Sequence, residues 1–357
     1  MSRILLTGAF GNVGANTLIH LSKQGHTIYA FDVENERNQK KASSLSKENR
    51  FTTIWGDLRD PASVKKALET AQPEAIIHVA AIIAPTAYVI PKIAREVNVD
   101  GTKILLDEAK ALENDPHFIF TSSYSVHGPR NPYRDPPPLT GDTPVNPHDN
   151  YGKQKVLGEN MTQESGLPWT IIRLPAVMAT DGDWGQGPEF LKFGMLLPLD
   201  RRQHAIDSRD AGLALANAVQ NEKAIGRKFN VGGPESDCQL VARDFFALVT
   251  DARGISIPES AFRQADPMVD DSWYYEDFVD TTESQAVLNY QQHTFADHLA
   301  HIRKRAGFMR YVLRVLSPII QRQIVKDSRY YGKPPEIDSA KVWERVCESF
   351  DIPLDTE

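Results

Sequence analysis

Short apolar segments alternate with segments of helical periodicity along the first 175 residues. Between the first two apolar segments, Val13, Leu18 and Leu21 recur at helical spacing. The segment at residues 75–81 is apolar throughout, which is typical of a strand buried on both faces. This alternation predicts an α/β fold with a doubly wound parallel sheet. The predicted strands are residues 4–7, 26–32, 51–55, 75–81 and 117–121.

A glycine-rich segment follows the first predicted strand. Gly8, Gly11 and Gly14 form a Gly-x-x-Gly-x-x-Gly pattern, which is one residue longer than the commonest dinucleotide fingerprint. When such a turn joins a strand to a helix, the backbone N–H groups at the start of the helix are directed at the pyrophosphate of a bound dinucleotide. The alternative is a glycine-rich turn that binds no ligand. The turn residues predicted to bind the cofactor are Gly8, Phe10, Gly11, Asn12, Val13 and Gly14.

Carboxylates and small residues follow the next strands. Asp32 lies eighteen residues after Gly14, where an acid can accept both ribose hydroxyls of the adenosine half. Its charge would repel a 2′-phosphate, which favours NAD over NADP, although Arg37 and Lys40 weaken this preference. Further candidates for the cofactor site are Asp57, for which a solvated loop aspartate is the alternative, Leu58, Ala80 and Ala81.

Tyr151 and Lys155 are four residues apart in a predicted helix, so both lie on one face. The ordinary pKa of tyrosine, about 10, is too high for a base at neutral pH. We expect the lysine and a positively charged nicotinamide to stabilise the phenolate and lower this pKa. Ser123 would hydrogen-bond the substrate oxygen during hydride transfer, although Ser122 and Ser125 compete for this role. A surface Tyr–Lys pair is the alternative.

These motifs, in this order, resemble the extended short-chain dehydrogenase/reductase family, which includes nucleotide-sugar epimerases and 3β-hydroxysteroid dehydrogenases. The resemblance covers residues 1–300. Residues 206–211 and 229–233 match the segments in which the chain of these proteins returns to the sheet after a first part of the substrate domain. It implies a Rossmann-type fold. The motifs that carry it are the glycine turn, Asp32, Asp57, the Ser-Ser-Tyr-Ser-Val-His-Gly stretch at 122–128, Tyr151-x-x-x-Lys155 and Arg173-Leu174-Pro175.

The resemblance implies a role for each matched residue. Tyr151 would be the acid/base, Lys155 would hold the nicotinamide ribose, and Ser123 would polarise the substrate oxygen. Pro175 would pack near the nicotinamide carboxamide. Asn98 is a further candidate on the cofactor side, although a buried structural amide fits this residue better than a catalytic group. Family members often pair through two long helices, which implies a homodimer formed by the helices at 91–112 and 150–165.

We predict a dinucleotide-binding domain with a smaller, interleaved C-terminal substrate lobe. The predicted bounds are 1–175 for the Rossmann domain with returning segments near 205–233, 176–204 and 234–300 for the substrate lobe, and 301–357 for a basic amphipathic C-terminal extension.

Two loops are expected to border the substrate. Residues 128–150 contain seven prolines, which preclude a helix and make the loop stiff. Residues 180–189 follow the sixth strand, and Trp184 would cap the site from this loop. Four further aromatic residues are ambiguous between substrate contact and core, namely Trp273, Tyr274, Tyr275 and Phe278.

The composition is that of a cytoplasmic enzyme with a small-molecule substrate. The chain has 357 residues, a net charge of −7 and no run of eighteen apolar residues. Its start runs directly into the first strand, so we expect no signal peptide. Two cysteines, Cys238 and Cys347, favour a reducing compartment over a disulfide framework. No His/Glu cluster has the spacing of metal ligands, so we expect no metal, and we expect no nucleic-acid partner.

Residues 302–333 differ from the rest of the chain in charge. They contain nine Lys or Arg and one Asp, which gives +8, interleaved with apolar residues. Such a segment is typical of an element that contacts an anionic membrane or a partner, in which case the substrate is lipophilic. The alternative, which we favour, is a helix pair broken near Ser317-Pro318, with its apolar side packed on the body.

The substrate is less defined than the chemistry. The Ser-Ser-Tyr run at 122–124 differs from the Thr-Asp-Glu or Thr-Asp-Lys of sugar dehydratases, which disfavours elimination. Residues 175–177 lack the asparagine of nucleotide-sugar epimerases, and Gln203 stands where they have an arginine, with Arg201 and Arg202 just before it. We predict an NAD-dependent oxidoreductase that interconverts a secondary alcohol and a ketone on a partly apolar substrate. The alternatives are a nucleotide-sugar epimerase and a non-catalytic dinucleotide-sensing protein.

Overall fold

The structure is a computed structural model that describes residues 1–181 and 188–354. Its strands are β1 (Arg3–Thr7), β2 (Thr27–Asp32), β3 (Thr52–Trp55), β4 (Ala75–His78), β5 (His117–Ser123), β6 (Trp169–Leu174), β7 (Ala176–Met178), β8 (Arg202–Asp207), β9 (Arg227–Asn230) and β10 (Gln239–Val241). Among the described residues, seven of these strands form one parallel sheet in the order β3-β2-β1-β4-β5-β6-β9. The predicted fold class, a Rossmann-type parallel sheet, is confirmed.

Helices connect the parallel strands, as the alternating pattern of the sequence requires. A π-helical turn, Glu96–Asp100, interrupts the long helix that we predicted at 91–112. The α-helices are α1 (Asn12–Lys23), α2 (Glu36–Leu45), α3 (Pro61–Ala71), α4 (Thr86–Val89), α5 (Pro91–Arg95), α6 (Gly101–Lys110), α7 (Asn150–Glu164), α8 (Pro188–Met195), α9 (Ser208–Ala218), α10 (Glu235–Cys238), α11 (Ala242–Arg253), α12 (Thr282–Leu288), α13 (Phe295–Ala306), α14 (Met309–Ile324) and α15 (Val342–Phe350).

The central sheet has a hydrophobic core on each face. Alternate residues of β1 point to opposite faces, so Ile4 and Leu6 pack in one core and Leu5 packs in the other. Helices α1 and α9 cover the first core, and α3 and α6 cover the second. Because both faces are covered, the strands are apolar on both sides, which explains the continuous apolar run in β4.

The strand order reverses between β1 and β4, which pair directly through residues such as Thr7 and His78. In an open parallel sheet, the crevice outside the carboxyl ends of the strands at such a reversal is where ligands bind. Strand β4 ends at His78, so Ala80 and Ala81 lie in the turn after it. Strand β5 extends through Ser123, two residues beyond the predicted end. The fold therefore brings the residues after β1, β4 and β5 to one edge.

A second, three-stranded sheet lies beside the main one, with β8 between β7 and β10. Strand β8 pairs with β7 in parallel and with β10 in antiparallel orientation. The chain then returns to the main body, because α9 packs on α1 and β9 pairs with β6. Residues that follow β6 are thus divided between the main sheet and the smaller sheet.

The C-terminal part differs from the predicted helix pair. Helix α14 continues through Pro318, so the break that we expected near Ser317-Pro318 is wrong. The exposed position of Pro318 allows its ring to lie on the outer side of the helix. Within α14, all of which is described, only Ser317 is buried. Val312, Leu313 and Ile320 are half-buried, whereas Tyr311, Val315 and Ile319 are exposed, so the apolar residues of this helix pack on the body only in part. Helix α15, by contrast, buries Val342, Val346 and Cys347.

Candidate active site

The glycine turn between β1 and α1 packs tightly against the end of β4. Gly8 has φ +66°, and a Cβ atom there would lie 2.7 Å from the backbone N and Cα of Ala80. A Cβ atom on Gly14 would lie 2.0 Å from the carbonyl oxygen of Gly8. Gly11 is the N-cap of α1 and has no side chain to accept from the N–H groups of the first turn. These N–H groups can therefore bind an anion.

The turn also contains a buried polar atom that a cofactor could satisfy. Oδ1 of Asn12 is buried, and it has no hydrogen-bond partner among the residues that the structure describes. Buried polar atoms in proteins nearly always have a partner, so an orphan of this kind at a nucleotide turn points to a missing ligand. Together with the glycines, which leave room for the backbone to approach phosphates, Asn12 fits a bound dinucleotide.

Asp32 lies beside this turn at the end of β2. Its carboxylate accepts hydrogen bonds from the backbone N of Phe10 at 2.9 Å and from Nδ2 of Asn38 at 3.1 Å. Burial raises the pKa of Asp32, and the bonds from the backbone N–H groups of Phe10 and Val33 oppose this rise. The carboxylate is thus held beside the glycine turn, and its contact with the ribose hydroxyls of the adenosine half stays a prediction.

The other predicted cofactor residues follow the carboxyl ends of β3 and β6, at the same edge of the sheet. Asp57 forms an ion pair with Arg59 at 2.7 Å, and this hydrogen bond lowers the pKa of Asp57. Leu58 is buried, and a Cβ atom on Gly101 would lie 2.9 Å from it. Pro175 is half-buried between β6 and β7. The roles of these residues in cofactor binding stay predictions.

Asn98 uses its side chain to connect two elements of the protein. Its Oδ1 accepts from the backbone N of Ile82 at 2.8 Å, and its Nδ2 donates to the Ile82 carbonyl at 2.9 Å. The same Nδ2 donates to Oε1 of Gln154 in α7 at 2.8 Å. These bonds favour a buried structural amide that joins the segment after β4 to α7, and cofactor contact by Asn98 stays a prediction.

Tyr151 and Lys155 lie on the buried side of α7. Nζ of Lys155 donates to the carbonyl oxygen of Thr121 at 2.8 Å and lies 5.8 Å from the ring centroid of Tyr151. Burial lowers the pKa of Lys155 to about 8, while Glu159 opposes this shift. The lysine is therefore fixed between β5 and α7, close to the tyrosine ring.

The pKa of Tyr151 differs from our expectation. Burial raises it above its ordinary value, and a hydrogen bond with Ser123 lowers it only in part. Lys155 donates to Thr121 rather than to the phenol, so the lysine alone does not lower this pKa. A lowered pKa would need a further positive charge at the site, such as the nicotinamide ring.

The structure separates the three competing serines. Ser122 is buried and donates to Oε1 of Glu159 at 2.6 Å, away from Tyr151. Ser125 is buried, and its backbone N donates to Oγ of Ser123 at 3.3 Å. Ser123 is half-buried, and its Oγ donates to Oγ of Ser125 at 3.3 Å. Of the three serines, it is the one that lies close enough to Tyr151 to lower the pKa of the phenol. The geometry thus supports Ser123, whose catalytic role stays a prediction.

Two buried polar contacts near the site were not predicted from the sequence, although Arg173 belongs to a motif named there. Arg173 forms a bidentate pair with Glu159 at 2.8 Å for both bonds, and both side chains are almost fully buried. His78 lies between the hydroxyls of Thr7 and Thr102, at 2.7 and 2.9 Å, and burial lowers its pKa to about 3. No local spacing identifies these contacts, because their partners come from different elements.

An aromatic cluster packs against Tyr151, and we call it the aromatic wall. Centroids of neighbouring rings in this wall are 4.7 to 5.7 Å apart. Asp149, the N-cap of α7, accepts from the Tyr88 hydroxyl, and burial raises the pKa of Asp149 to about 6. Trp184, which the sequence predicted to cover the substrate site, lies outside the described residues. The wall consists of Tyr88, Phe193, Tyr274, Tyr275 and Trp343.

Of the ambiguous aromatic residues, Tyr274 and Tyr275 belong to the wall, whereas Trp273 does not. Trp273 is buried and donates from Nε1 to the Asp266 carbonyl at 3.0 Å. The members that the sequence did not indicate, Tyr88, Phe193 and Trp343, come from α4, α8 and α15. Because these helices are far apart along the chain, only packing brings their side chains together.

We expect Gly14→Ala to weaken NAD binding by at least about tenfold, because the new Cβ atom would force the turn away from α1. Isothermal titration calorimetry with NAD measures the change. The matched control is Gly194→Ala in α8, where the nearest atom to the new Cβ is 4.0 Å away and binding should be unchanged. Equal affinities for Gly14→Ala and the unmodified chain would contradict this description of the turn.

A nucleotide turn at the reversal point of a parallel sheet, with a tyrosine and a lysine on one face of a neighbouring helix, is the arrangement of extended short-chain dehydrogenases/reductases. The model of the NAD dependent epimerase/dehydratase family matches residues 4–191, more than half of the chain. The chain therefore belongs to this family of NAD-dependent enzymes. The predicted resemblance is confirmed, and NAD as the cofactor is confirmed at the level of the family.

Two curated relatives have different activities. D-erythronate dehydrogenase of Cupriavidus necator is 31% identical over 137 residues, which cover 37% of this chain and 41% of the relative. UDP-glucose 4-epimerase 4 of Oryza sativa subsp. japonica is 29% identical over 181 residues, which cover 48% of this chain and 47% of the relative. The chain thus spans less than half the length of these two relatives.

Solved structures share the fold over most of their length. A UDP-glucose-4-epimerase of Stenotrophomonas maltophila, with bound NAD and formylated UDP-arabinopyranose, has a TM-score of 0.71 at 16% identity. The similarity covers 87% of this chain and all of that one. The enzyme WbmG of Bordetella bronchiseptica, in complex with NAD and UDP, has a TM-score of 0.65 at 21% identity, covering 85% of this chain and 93% of that one. At these identities, the comparison supports the fold alone.

Proposed function

We propose that this chain is an NAD-dependent oxidoreductase that interconverts a secondary alcohol and a ketone. The observation that carries the proposal is that the side chains of Ser123, Tyr151 and Lys155 lie close together. Tyr151 and Lys155 extend from one face of α7, and Ser123 at the end of β5 lies close enough to Tyr151 to lower the pKa of its phenol. Proton transfer at a carbinol or carbonyl oxygen requires a hydrogen-bond donor, an acid/base and a fixed cation, and Ser123, Tyr151 and Lys155 would supply them in that order.

Each of these residues would move or stabilise a charge. The Tyr151 hydroxyl would exchange a proton with the substrate oxygen, to which Ser123 would donate a hydrogen bond. Lys155 would hold the nicotinamide ribose, and its charge together with that of the nicotinamide would stabilise a phenolate on Tyr151. NAD, when bound, supplies the hydride acceptor or donor. The glycine turn and Asp32 would hold its phosphates and adenosine ribose.

The aromatic wall supports a substrate with an apolar part. Tyr88, Tyr274 and Tyr275 are buried, and they share one hydrophobic cluster with Tyr151. These rings make the surroundings of Tyr151 apolar, which favours an apolar group of the substrate near the reacting oxygen.

A nucleotide-sugar epimerase is the second candidate, because the chain matches such a relative at 29% identity. The contacts of Arg201 and Arg202, which lie near the position expected to bind the diphosphate, disfavour this candidate. Nε of Arg201 donates to Glu276 at 2.7 Å, and Nη1 donates to the Pro198 carbonyl at 2.8 Å. Nη1 of Arg202 donates to the carbonyl of Pro136 at 3.0 Å. Both guanidinium groups are therefore engaged by the protein itself.

The test begins with mass spectrometry of the gently purified protein after denaturation, which identifies any retained dinucleotide. NADH absorbance is then followed with NAD and a panel of aliphatic alcohols, sterols and UDP-sugars. We expect NADH to form with an apolar secondary alcohol and an exchangeable cofactor. Tightly retained NAD with epimerisation of a UDP-sugar would establish the second candidate instead. NAD binding without turnover of any substrate would favour the non-catalytic alternative.

The remaining predictions extend this proposal. Cytoplasmic location, pairing of two chains through α5, α6 and α7, and contact of residues 302–333 with an anionic membrane stay predictions. Within residues 1–181 and 188–354, no helix is both long and apolar enough to cross a bilayer. Leu157 of α7 and Ile93 of α5 are exposed hydrophobic residues on the helices of the predicted dimer contact.

A further inference from the structure

Helix α14 presents apolar side chains to solvent along one side. Phe308 at its start, Tyr311, Val315 and Ile319 are 79%, 57%, 80% and 67% exposed. Spacings of three, four and four residues place them on one stripe, which we call the α14 face. The opposite side of the helix rests on the body through Ser317, whose hydroxyl accepts from the backbone N of Ser256 at 3.2 Å. The helix is therefore held in place with its apolar face outward.

The α14 face is large for a surface feature. Single exposed hydrophobic residues are ordinary on protein surfaces, but a contiguous stripe of four large ones marks an interaction site. The rings of Phe308 and Tyr311 lie 6.4 Å apart, so the stripe is continuous at its N-terminal end. The guanidinium group of Arg310 lies 5.3 Å from the Tyr311 ring centroid. Apolar and basic groups are therefore interleaved on one surface.

The charge around the face is opposite to that of the rest of the chain. Residues 302–333 carry +8, from nine basic residues and one acidic residue, while the whole chain carries −7, so the remainder carries −15. Within the described residues, the ion pairs of this segment join Arg314 to Asp251 and Arg329 to Glu348. Lys304 and Arg322 are exposed and form no ion pair there. The segment thus retains a net positive charge.

We propose that the α14 face docks on an anionic lipid membrane, with its apolar side chains inserted at the headgroup boundary. Basic residues beside an apolar stripe are the pattern of helices that lie in the membrane interface. A second copy of this chain fits the face less well, because a two-fold contact would bring the same basic groups together. Each Lys or Arg near an anionic surface strengthens binding by roughly fivefold, so the segment's charge is a substantial contribution.

The docking surface is connected to the candidate active site through the chain. The segment after α14 leads to α15, whose Trp343 packs against Tyr88 in the aromatic wall at 5.2 Å between ring centroids. Buried Arg263 holds this segment by an ion pair with Asp338 at 3.1 Å. Docking itself does not rest on the proposed activity, because vesicle binding needs no turnover.

Co-sedimentation of the full chain with vesicles tests the proposal. We expect binding to phosphatidylcholine mixed with phosphatidylglycerol, little binding to phosphatidylcholine alone, and release as salt rises. The double variant Phe308→Asp/Val315→Asp should bind at least about tenfold more weakly, since it places charges where the side chains would insert. The matched control is Met268→Asp, which changes an equally exposed residue at 73% outside α14 and should bind as the unmodified chain does.

Thermal unfolding of each variant checks that the fold is retained, and the exposed positions chosen should leave it unchanged. A second variant, Lys304→Glu/Arg322→Glu, should lose binding to anionic vesicles in the same assay. Absence of binding by the unmodified chain would overturn the proposal, as would undiminished binding by both double variants. The proposal would also be overturned, in favour of a second copy of the chain, if light scattering found a dimer for the unmodified chain and a monomer for Phe308→Asp/Val315→Asp.

Discussion

Tyr151→Phe is expected to lower kcat by about 10²–10⁴-fold, which is the range that a positioned acid/base contributes. Phenylalanine fills the same space in the buried cluster around Tyr151 but cannot exchange a proton with the substrate oxygen. Because the glycine turn and Asp32 would hold the cofactor, the Kd for NAD should change by less than about twofold. The measurement is steady-state formation of NADH with the best alcohol of the panel, combined with calorimetric titration of NAD.

Tyr133→Phe is the matched control for this prediction. Tyr133 is 58% exposed and its hydroxyl donates to Asp200 at 3.2 Å, on the loop before α7. The same loss of a phenol oxygen at this position should leave both kcat and the Kd for NAD unchanged. Retained turnover by Tyr151→Phe would contradict the assigned mechanism. Parallel loss of NAD binding and turnover would show that Tyr151 acts through the structure of the cofactor site.

Arg173→Ala is expected to lower the free energy of unfolding by about 3–5 kcal/mol, the cost of leaving one partner of a buried ion pair alone. Arg173 is 1% exposed and donates from Nε and Nη2 to the two oxygens of Glu159. It also donates to the Gly141 carbonyl at 3.1 Å. After the substitution, Glu159 would retain Ser122 as a hydrogen-bond donor but would lose its compensating charge.

Urea unfolding followed by tryptophan fluorescence measures this loss. Arg243→Ala is the control, because Arg243 is about half exposed and its pairs with Asp200 and Glu259 should contribute less than about 1 kcal/mol. Glu159→Met/Arg173→Met should recover part of the stability lost in Arg173→Ala, since no charge is left unpaired. A change in Arg173→Ala no larger than that of the control would contradict the importance of the buried pair.

The alternation of apolar and helical segments was sufficient to predict the parallel sheet, because burial on both faces imposes the same apolar pattern on every strand. The ends of the elements were less well predicted. Strand β4 stops at His78, and a π-helical turn interrupts the helix around Asn98. Helix α14 passes through Pro318, where local propensity predicts a break. The hydrogen bonds of Asn98 to Ile82 and Gln154 are long-range contacts that the local sequence of the helix does not specify.

The candidate site was predictable where its residues act through local geometry. Gly8 and Gly14 belong to one turn, and Tyr151 and Lys155 to one helical face, so their spacing alone indicates a function. The pKa of Tyr151 was not predictable, because it depends on how deeply the aromatic wall buries the phenol. The contact between Ser122 and Glu159, which leaves Ser123 beside Tyr151, likewise depends on the fit of α7 against β5.

The sequence by itself determined the fold class and the glycine turn after β1, and it predicted Tyr151 and Lys155 as the acid/base pair, since each is specified by local patterns of the chain. Tertiary structure alone decided that Arg173 meets Glu159, that α15 contributes Trp343 to the aromatic wall, and that the α14 face is exposed. These outcomes depend on contacts between elements that are distant along the chain. A local pattern can specify how a segment folds, but not which segment covers it.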